Sequence, residues 1–295
     1  MKILITGASG FIGKRLLDQF QTKGVSKQNI TLLSRNPIPG YQCIIHDNYN
    51  IEKEAFQGER FDCIIHGGAV TPKGKGYDDE NRYIENIRST VNLFENLTEI
   101  PKKIVFLSSV SVYKESKKID EQSELTTDNM YALSKIVCER YLNQFMPYGT
   151  DVQILRLGAI YGPGEETYNK ITGTFLKKAS YNEDIIINSS GKENRNMLYV
   201  DDAAEYICNA ALFEKGIGKV NLVSKESITV FDLAKLVIKV LNSESRIIIE
   251  NRVKGRNDNY DALKVRTIFD KYEYFTPYES GLVKLSEHFK KYKIL

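Results

Sequence analysis

A tyrosine and a lysine four residues apart are the side chains best suited to chemistry in this sequence. They are Tyr131 and Lys135, in the segment D-N-M-Y-A-L-S-K. A spacing of four places both on one face of a helix. A phenol, with an unperturbed pKa of about 10, is a poor acid–base at neutral pH, but a nearby ammonium lowers that pKa. The pair predicts a proton-transfer site, although an ordinary amphipathic helix can also carry such a pair.

A group of serines follows the segment at residues 103–107, which is apolar after Lys103. Ser108, Ser109 and Ser111 come directly after it. Because the segment is apolar, we expect a strand buried on both faces of a parallel sheet. Ligands of such sheets bind at the carboxyl ends of the strands. A serine hydroxyl there can hold a substrate oxygen beside Tyr131.

The chain opens with an apolar run followed by regularly spaced glycines. Ile3, Leu4 and Ile5 precede Thr6, and glycines then occur at positions 7, 10 and 13. Gly7 suits a tight turn, Gly10 an approach of backbone amides to a pyrophosphate, and Gly13 close helix packing. The helix N-terminus then offers free N–H groups to phosphates. We predict a dinucleotide-binding turn; the alternative is a turn whose glycines serve packing only.

The second strand, predicted at residues 30–33, leads into Ser34 and Arg35. An acidic residue here would bind a ribose 2′-hydroxyl, whereas arginine accommodates a 2′-phosphate. The sequence therefore favours NADP(H), with NAD possible; alternatively, Arg35 stacks on the adenine or is solvated. Asp47, after a third strand at residues 43–46, is expected to meet the adenine amine or to serve as a turn or cap residue.

Further alternation of strands and helices follows. A fourth strand at residues 61–66 ends in His66, interpreted as a buried strand-end residue, and the small residues Gly67, Gly68 and Ala69 leave room for a nicotinamide ribose. Helices are predicted over residues 77–99 and 131–145. After Gly164 the alternation loosens, with a helix at 175–179, strands at 184–187 and 219–223, a helix at 199–212 capped by Asp201 or Asp202, and a helix at 230–241 capped by Thr229.

Taken together, these motifs resemble the extended short-chain dehydrogenases/reductases that act as nucleotide-sugar epimerases, dehydratases and reductases. The resemblance implies a Rossmann-type, doubly wound parallel α/β sheet with a small C-terminal substrate-binding lobe. Residues 1–164 would form the dinucleotide-binding domain, completed by a segment near 195–223, and residues 165–295 mainly the lobe. The motifs in order are T-G-A-S-G-F-I-G (6–13), I-I-H-G-G-A (64–69), N-I-R-S-T-V-N-L-F-E (86–95), S-S-V-S-V-Y (108–113), Y-A-L-S-K (131–135), L-R-L-G-A-I-Y-G-P-G (155–164) and R-N-M-L-Y-V-D-D-A-A (195–204).

By this resemblance Ser109 is the catalytic serine and Tyr131 the acid–base. Lys135 lowers the pKa of Tyr131 and holds the nicotinamide ribose. The predicted cofactor-binding residues are Gly7, Ser9, Gly10, Phe11, Ile12, Ser34, Arg35, Asp47, Gly67, Gly68, Ala69, Asn86, Tyr131, Lys135, Leu157 and Ile160. The predicted substrate-binding residues are Thr71, Ser109, Ser111, Tyr131, Arg195 and Arg256.

Arg195 corresponds to a family arginine that contacts a substrate phosphate, a role that suits a guanidinium. Alternatively, it pairs with Asp201 or Glu193. Arg256 is a candidate for the nucleotide end of the substrate, because it lies in a polar segment at residues 252–266.

The sequence departs from the family pattern in two places. The 4,6-dehydratases carry Thr-Asp-Glu where this chain has Ser109, Val110 and Ser111, so an acid is missing and dehydration is not expected. Many relatives have an asparagine where this chain has Gly158 and Ala159. That change implies different diphosphate contacts, or a smaller or differently posed substrate.

Bulk properties exclude several other classes. A net charge of +3 over 295 residues is too small to indicate nucleic acid or an anionic membrane surface. No apolar stretch approaches the roughly 18 residues of a membrane span. The four cysteines are dispersed and are expected to be reduced, with no metal-ligand spacing, which favours the cytoplasm. Family habit suggests a homodimer built on the helices at 77–99 and 131–145.

The expected function is an NAD(P)-dependent oxidoreductase acting on a nucleotide-activated sugar. Reduction of a 4-keto-6-deoxy sugar is preferred, because Ser34 and Arg35 favour exchangeable NADPH. The main alternative is a nucleotide-sugar 4-epimerase that retains NAD. A reductase of non-nucleotide carbonyls and a non-catalytic dinucleotide-binding scaffold or sensor are less favoured. The nucleotide base, the sugar and the product stereochemistry are left open by the sequence.

Overall fold

The computed structural model describes residues 1–47, 51–72, 79–269 and 275–294. The strands of these segments are β1 (Ile3–Thr6), β2 (Ile30–Ser34), β3 (Gln42–Ile45), β4 (Cys63–His66), β5 (Lys103–Ser109), β6 (Asp151–Leu157), β7 (Ala159–Tyr161), β8 (Ile185–Ile187), β9 (Asn194–Arg195), β10 (Met197–Tyr199), β11 (Lys219–Leu222), β12 (Ile228–Thr229) and β13 (Ile247–Ile249). The helices are α1 (Phe11–Thr22), α2 (Ile84–Glu95), α3 (Met130–Asn143), α4 (Ile171–Ser180), α5 (Val200–Leu212), α6 (Val230–Leu241), α7 (Leu263–Phe269) and α8 (Tyr278–Lys291).

A parallel sheet of seven strands organises the structure. Its order is β11-β6-β5-β4-β1-β2-β3, so the strand order reverses between β1 and β4. Open sheets of this kind bind ligands in the crevice at that switch point, outside the carboxyl ends of the strands. The predicted Rossmann-type α/β fold is therefore confirmed.

Apolar side chains on both faces hold this sheet between two layers of helices. Ile3 and Ile5 of β1 belong to the core that includes α1 and α5, whereas Leu4 belongs to the core that includes α2 and α3. This alternation follows from the pleat of a strand, which sends successive side chains to opposite faces. Because both faces are covered, every residue of β1 is buried.

Two helices begin directly after a residue whose side chain caps the helix N-terminus. The Oδ1 atom of Asn129 accepts the backbone N–H of Ala132 at 2.8 Å, and α3 begins at Met130. The Thr229 cap on α6 is confirmed, since its Oγ1 accepts the N–H of Asp232 at 3.0 Å. The helix predicted at 77–99 is shorter: a 3₁₀ turn at Glu80–Tyr83 precedes α2, and positions 77 and 78 lie outside the described residues.

The predicted aspartate caps of α5 are wrong. The helix begins at Val200, and both aspartates lie within its first turn. Asp202 accepts hydrogen bonds from the backbone N–H and the hydroxyl of Thr276, each at 2.8 Å. Asp201 pairs with Arg15 at 3.3 Å. Both side chains therefore tie α5 to other parts of the chain instead of to its own amides.

The segments after β7 combine short strand pairs with helices. Strands β8 and β13 pair in parallel, and β9 and β12 pair antiparallel. Helices α4, α6 and α8 pack around them, while β11 returns to the main sheet beside β6. No helix in the described ranges is long and apolar enough to cross a bilayer. The division into two domains near residue 164 stays a prediction.

Gly7 generates a prediction about stability. Its φ of 77° is left-handed, and a Cβ atom there would lie 2.7 Å from the nitrogen of Gly68. Gly24 has nearly the same φ, 75°, but no atom lies within 4 Å of its Cβ position. We expect Gly24→Ala to lower the free energy of unfolding by about 1–2 kcal/mol through the backbone alone. Gly7→Ala should cost about 1–3 kcal/mol more through overpacking.

Urea denaturation without added dinucleotide measures both free energies of unfolding. Equal losses in the two variants would contradict a steric role for the Gly7 contact.

Candidate active site

A cavity of about 880 Å³ lies at the carboxyl ends of β1, β2, β4, β5 and β6. It combines residues from distant parts of the sequence, as expected for the switch point of an open sheet. The predicted site residues that line it are Gly7, Ser9, Gly10, Phe11, Ile12, Ser34, Arg35, Gly67, Gly68, Ala69, Thr71, Asn86, Tyr131, Lys135 and Leu157. The predicted site residues outside this lining are Asp47, Ser109, Ser111, Ile160, Arg195 and Arg256.

The glycine turn has the shape and polarity of an anion cradle. The N–H of Gly10 donates to the carbonyl of Gly7 at 3.0 Å. A Cβ atom on Gly13 would lie 2.2 Å from the same carbonyl, so helix α1 packs directly against the turn. Gly10 caps α1 without a side-chain hydrogen bond, and the first turn contains no acidic residue. Its free N–H groups and positive dipole end therefore face the cavity and fit a dinucleotide diphosphate.

Thr6 and His66 join this turn to the neighbouring strand end. Thr6 was not among the predicted site residues. The Oγ1 atom of Thr6 accepts N–H groups from Gly67 at 3.1 Å and Gly68 at 2.8 Å. Its hydroxyl lies 2.9 Å from His66 Nδ1, and His66 Nε2 lies 2.9 Å from Thr90 Oγ1. This pattern assigns the proton of a neutral ring to Nε2. The sequence signal that could have indicated this contact is a polar residue at the end of each of the two paired strands, Thr6 in β1 and His66 in β4.

Asn86 lines the cavity, but its amide is engaged with protein groups. Its Oδ1 accepts the N–H of Val70 at 2.7 Å, and its Nδ2 donates to the Val70 carbonyl at 3.0 Å. The same nitrogen lies 3.2 Å from the Ser134 hydroxyl. Asn86 therefore holds the chain after Ala69 in place. This structural role is separate from the direct cofactor contact that the sequence predicted for it.

The adenine end of the cavity differs from the expectation in one respect. Ser34 and the exposed Arg35 line the wall, and Ser34 Oγ donates to the carbonyl of Asn36 at 2.6 Å. Asp47 is exposed and does not line the cavity; His46 lines it in that region. Burial, followed by the charge of Arg35, lowers the pKa of His46. The expected contact of Asp47 with adenine is therefore unsupported by its placement.

Tyr131, Lys135 and Ser109 come together where α3 meets the end of β5. The ammonium of Lys135 donates to the carbonyl of Leu107 at 2.9 Å and lies 6.0 Å from the centre of the Tyr131 ring. Ser109 accepts hydrogen bonds from the N–H of Ser111 at 3.1 Å and from its hydroxyl at 2.9 Å. The hydroxyl proton of Ser109 is therefore available to a third partner. The predicted triad is assembled on one helix and one strand end.

The pKa of Tyr131 departs from the expectation. Burial raises it to about 12, and the side-chain hydrogen bond from Ser109 is the opposing influence. The nearby phenols of Tyr83 and Tyr168 raise it further. The pKa of Lys135 itself is lowered to about 8 by burial, and its ammonium donates to the carbonyl of Leu107. Tyr131 is thus a protonated phenol at neutral pH.

The remaining predicted residues lie apart from this cavity. Arg195 Nε lies 3.4 Å from a carboxylate oxygen of Asp258, and its Nη1 donates to the Arg256 carbonyl at 3.5 Å. The suggested alternative pairing of Arg195 with Asp201 or Glu193 is therefore wrong. The two arginines are neighbours on the lobe. The carbonyl of Ile160 accepts from the Lys170 ammonium at 2.6 Å.

A metal centre finds no support in the described ranges, where no three His, Cys, Asp or Glu side chains are grouped as ligands. All four cysteines are free, and three of them are buried.

The parallel sheet, the glycine turn and the Tyr131–Lys135 pair define a Rossmann-type dinucleotide-binding enzyme of the extended short-chain dehydrogenase/reductase class. The model of the NAD dependent epimerase/dehydratase family matches residues 3–222. The chain belongs to this family.

Curated relatives and solved structures are consistent with that assignment. A dTDP-D-glucose 4,6-dehydratase of Dictyostelium discoideum is 28% identical over 81% of this chain, which spans 62% of that relative's length. A dTDP-4-dehydro-6-deoxy-D-allose reductase of a Streptomyces species is 25% identical over 84% of this chain and 83% of the relative. The structure of UDP-glucose 4-epimerase from Thermotoga maritima has a TM-score of 0.84 at 23% identity, covering 99% of this chain and 100% of that one.

His66 generates a prediction about pH. Burial lowers its pKa to about 3, whereas the unfolded chain has a histidine pKa of about 6.5. Its contribution to stability is therefore complete above pH 6.5 and is lost as pH falls toward 3, because the unfolded state binds the proton first. As the pH falls from about 6 to 5, protonation of His66 in the unfolded state should lower the free energy of unfolding by roughly 1.4 kcal/mol.

Denaturation midpoints across this pH range provide the measurement. His66→Gln should flatten the slope, whereas His288→Gln, at the pair with Glu166, should leave it steep. An unchanged slope in His66→Gln would exclude His66 as its source.

Proposed function

We propose that this protein is an NADPH-dependent reductase of a nucleotide-linked 4-keto-6-deoxy sugar. The observation that carries the proposal is that Tyr131 and Lys135 line the same cavity as Arg35, with the Lys135 ammonium 6.0 Å from the centre of the Tyr131 ring. A reductase needs a proton donor at the carbonyl oxygen, and a buried phenol of raised pKa is in the required state. Family membership supports nucleotide sugars as the substrate class.

The cavity residues fit a nicotinamide dinucleotide. The amides at the start of α1 would hold its diphosphate, and Lys135 would hold the nicotinamide ribose. Arg35 would contact a 2′-phosphate as a charge-assisted hydrogen-bond donor. When bound, the reduced nicotinamide supplies the hydride for the sugar carbon.

The side chains of this protein then provide the proton and the orientation. Tyr131 donates its phenolic proton to the oxygen of the substrate carbonyl, and Ser109 hydrogen-bonds the same oxygen. The ammonium of Lys135 stabilises the resulting phenolate until solvent returns a proton. Thr71 and Ser111 are proposed substrate contacts near this point.

The lobe offers groups for the nucleotide end of the substrate. Arg195 and Arg256 are adjacent there, and guanidinium groups suit phosphate oxygens. Asp258, which lies beside Arg195, orients that side chain. Their separation from the main cavity is compatible with a long substrate that reaches from the lobe to Tyr131. A homodimer remains part of the proposal.

A 4-epimerase is the second candidate, because the same tyrosine, lysine and serine can serve both directions of hydride transfer. An epimerase retains its dinucleotide and returns the hydride to the other face of the sugar. Dehydration is less well supported, because Val110 stands where the dehydratases place an acid.

Purified protein with NADPH and a panel of nucleotide 4-keto-6-deoxy sugars tests the proposal. We expect loss of the near-ultraviolet absorbance of NADPH with one nucleotide base. Tyr131→Phe should lower kcat by about 10²–10⁴-fold, the usual contribution of general acid catalysis, and leave the dinucleotide Kd unchanged. Tyr148→Phe is the control, because Tyr148 is 76% exposed.

Two further outcomes would redirect the interpretation. Unchanged turnover in Tyr131→Phe would remove this residue from the mechanism. Silence across the panel, together with NAD released on denaturation of the protein, would favour the epimerase.

Arg35 generates a prediction about cofactor preference. Arg35→Gln should weaken NADPH binding by about 10–100-fold, the loss of a hydrogen bond to a charged group, and change NADH binding little. Dinucleotide fluorescence titration measures both Kd values. Arg60→Gln, at an exposed pair with Glu99, is the matched control. An equal effect of Arg35→Gln on NADPH and NADH would contradict recognition of the 2′-phosphate.

A further inference from the structure

Three consecutive residues at the end of β5 are each joined to helix α3. The carbonyl of Leu107 accepts from Lys135 at 2.9 Å, and the hydroxyl of Ser108 donates to Glu139 Oε1 at 2.6 Å. The third residue, Ser109, lies close enough to Tyr131 for its hydroxyl to lower the pKa of the phenol. These partners on α3 are spaced by four residues, so they lie along one face of the helix.

Glu139 is the member of this row that proton transfer does not require. Its carboxylate is bound by Arg156 of β6 through two hydrogen bonds, Nε to Oε1 at 2.9 Å and Nη2 to Oε2 at 2.6 Å. Glu139 is 4% exposed and Arg156 is fully buried. Arg156 lies opposite Ser108 in the sheet, so one carboxylate is held by two adjacent strands.

Arg156 is fixed in turn by an aromatic ring. Its guanidinium lies 4.7 Å from the centre of the Tyr113 ring, and the Tyr113 hydroxyl donates to Asn221 Oδ1 at 2.6 Å. The anchor of Glu139 therefore extends across the sheet from β5 through β6 to β11. A helix bound in this way cannot rotate without breaking several buried polar contacts.

The negative charge of Glu139 also acts on Lys135, which lies one helical turn earlier. Burial lowers the pKa of Lys135, and Cys138 and then Glu139 oppose that lowering. Two further groups face this region: His66 of β4, which is neutral because of its depressed pKa, and Arg156 of β6, which is bound to the carboxylate. Glu139 is therefore one of two groups, with Cys138, that favour a protonated Lys135.

We propose that Glu139 is a positioning residue, which fixes the face of α3 that carries Tyr131 and Lys135 and supplies a negative charge to the Lys135 ammonium. Its effect on turnover rests on the proposed reductase function. Its effect on Lys135 depends on the folded protein alone, and the two are measured separately.

The first measurement is the titration of Lys135 by NMR of protein labelled with ¹³C at the lysine ε-carbons. The resonance is assigned by its loss in Lys135→Arg. In Glu139→Gln we expect the Lys135 titration to move down by roughly 0.5–1 pH unit, because an attractive charge is removed. The matched control is Asp202→Asn, another buried carboxylate with two hydrogen bonds, which should leave Lys135 unchanged.

The second measurement is turnover with NADPH across the panel of nucleotide 4-keto-6-deoxy sugars, followed by kinetics on the sugar that the wild-type protein reduces. Misplacement of the proton donor should lower kcat of Glu139→Gln by about 10-fold or more, with KM and the NADPH Kd changed less than about twofold. The alkaline limb of the kcat–pH profile should move to lower pH together with Lys135. If the wild-type protein shows no turnover, the reductase proposal fails while the NMR titration still tests the effect on Lys135.

A second variant guards against misfolding, because Glu139→Gln leaves the buried Arg156 without its carboxylate. Glu139→Leu combined with Arg156→Met removes both charges, a change that buried ion pairs often tolerate. A folded double variant should show a lowered kcat and a smaller lowering of the Lys135 titration than Glu139→Gln, because the repulsive charge of Arg156 is removed as well. Wild-type values for both would overturn the proposal. Loss of folding in both variants would also overturn it, by assigning the pair to stability alone.

Discussion

The close approach of two backbone turns at the ends of β1 and β4 is the constraint on which the site depends. The turn at Gly7 lies against Gly67 and Gly68 so closely that no side chain fits between them. Thr6 closes this contact, because its single oxygen accepts both glycine amides. With the two strand ends locked together, the N-terminus of α1 is directed into the crevice of the sheet. The polarity of the cavity therefore originates in main-chain atoms.

The side chains of Tyr131 and Lys135 are positioned in the same cavity by a different principle. Side chains one turn apart on helix α3 contact successive residues at the end of β5. Lys135 donates to the carbonyl of Leu107, and Glu139 accepts from the hydroxyl of Ser108. Burial makes these contacts strong and keeps Tyr131 protonated. Backbone groups suited to binding and side chains suited to reaction thus line one cavity.

Features set by local sequence were predictable. The order of strands and helices follows apolar periodicity, and the cap at Thr229 is specified by a residue and its third neighbour. Contacts between distant segments were not predictable in this way. Burial by distant parts of the chain is the main cause of the raised pKa of Tyr131. The partner of Arg195 is Asp258, about sixty positions away. Whether His46 or the adjacent Asp47 lines the cavity could not be read from the sequence either: the structure places His46 there, and the role of Asp47 stays a prediction.

The position of β11 at the edge of the sheet has a consequence for synthesis of the chain. Its partner, β6, is complete at Leu157, yet β11 begins only at Lys219, after elements of the lobe have been made. During translation β6 is an open edge whose N–H and C=O groups and apolar side chains await a distant partner. Nascent chains of intermediate length are therefore the species most exposed to wrong strand pairing, and emergence of β11 from the ribosome is the event that closes this edge.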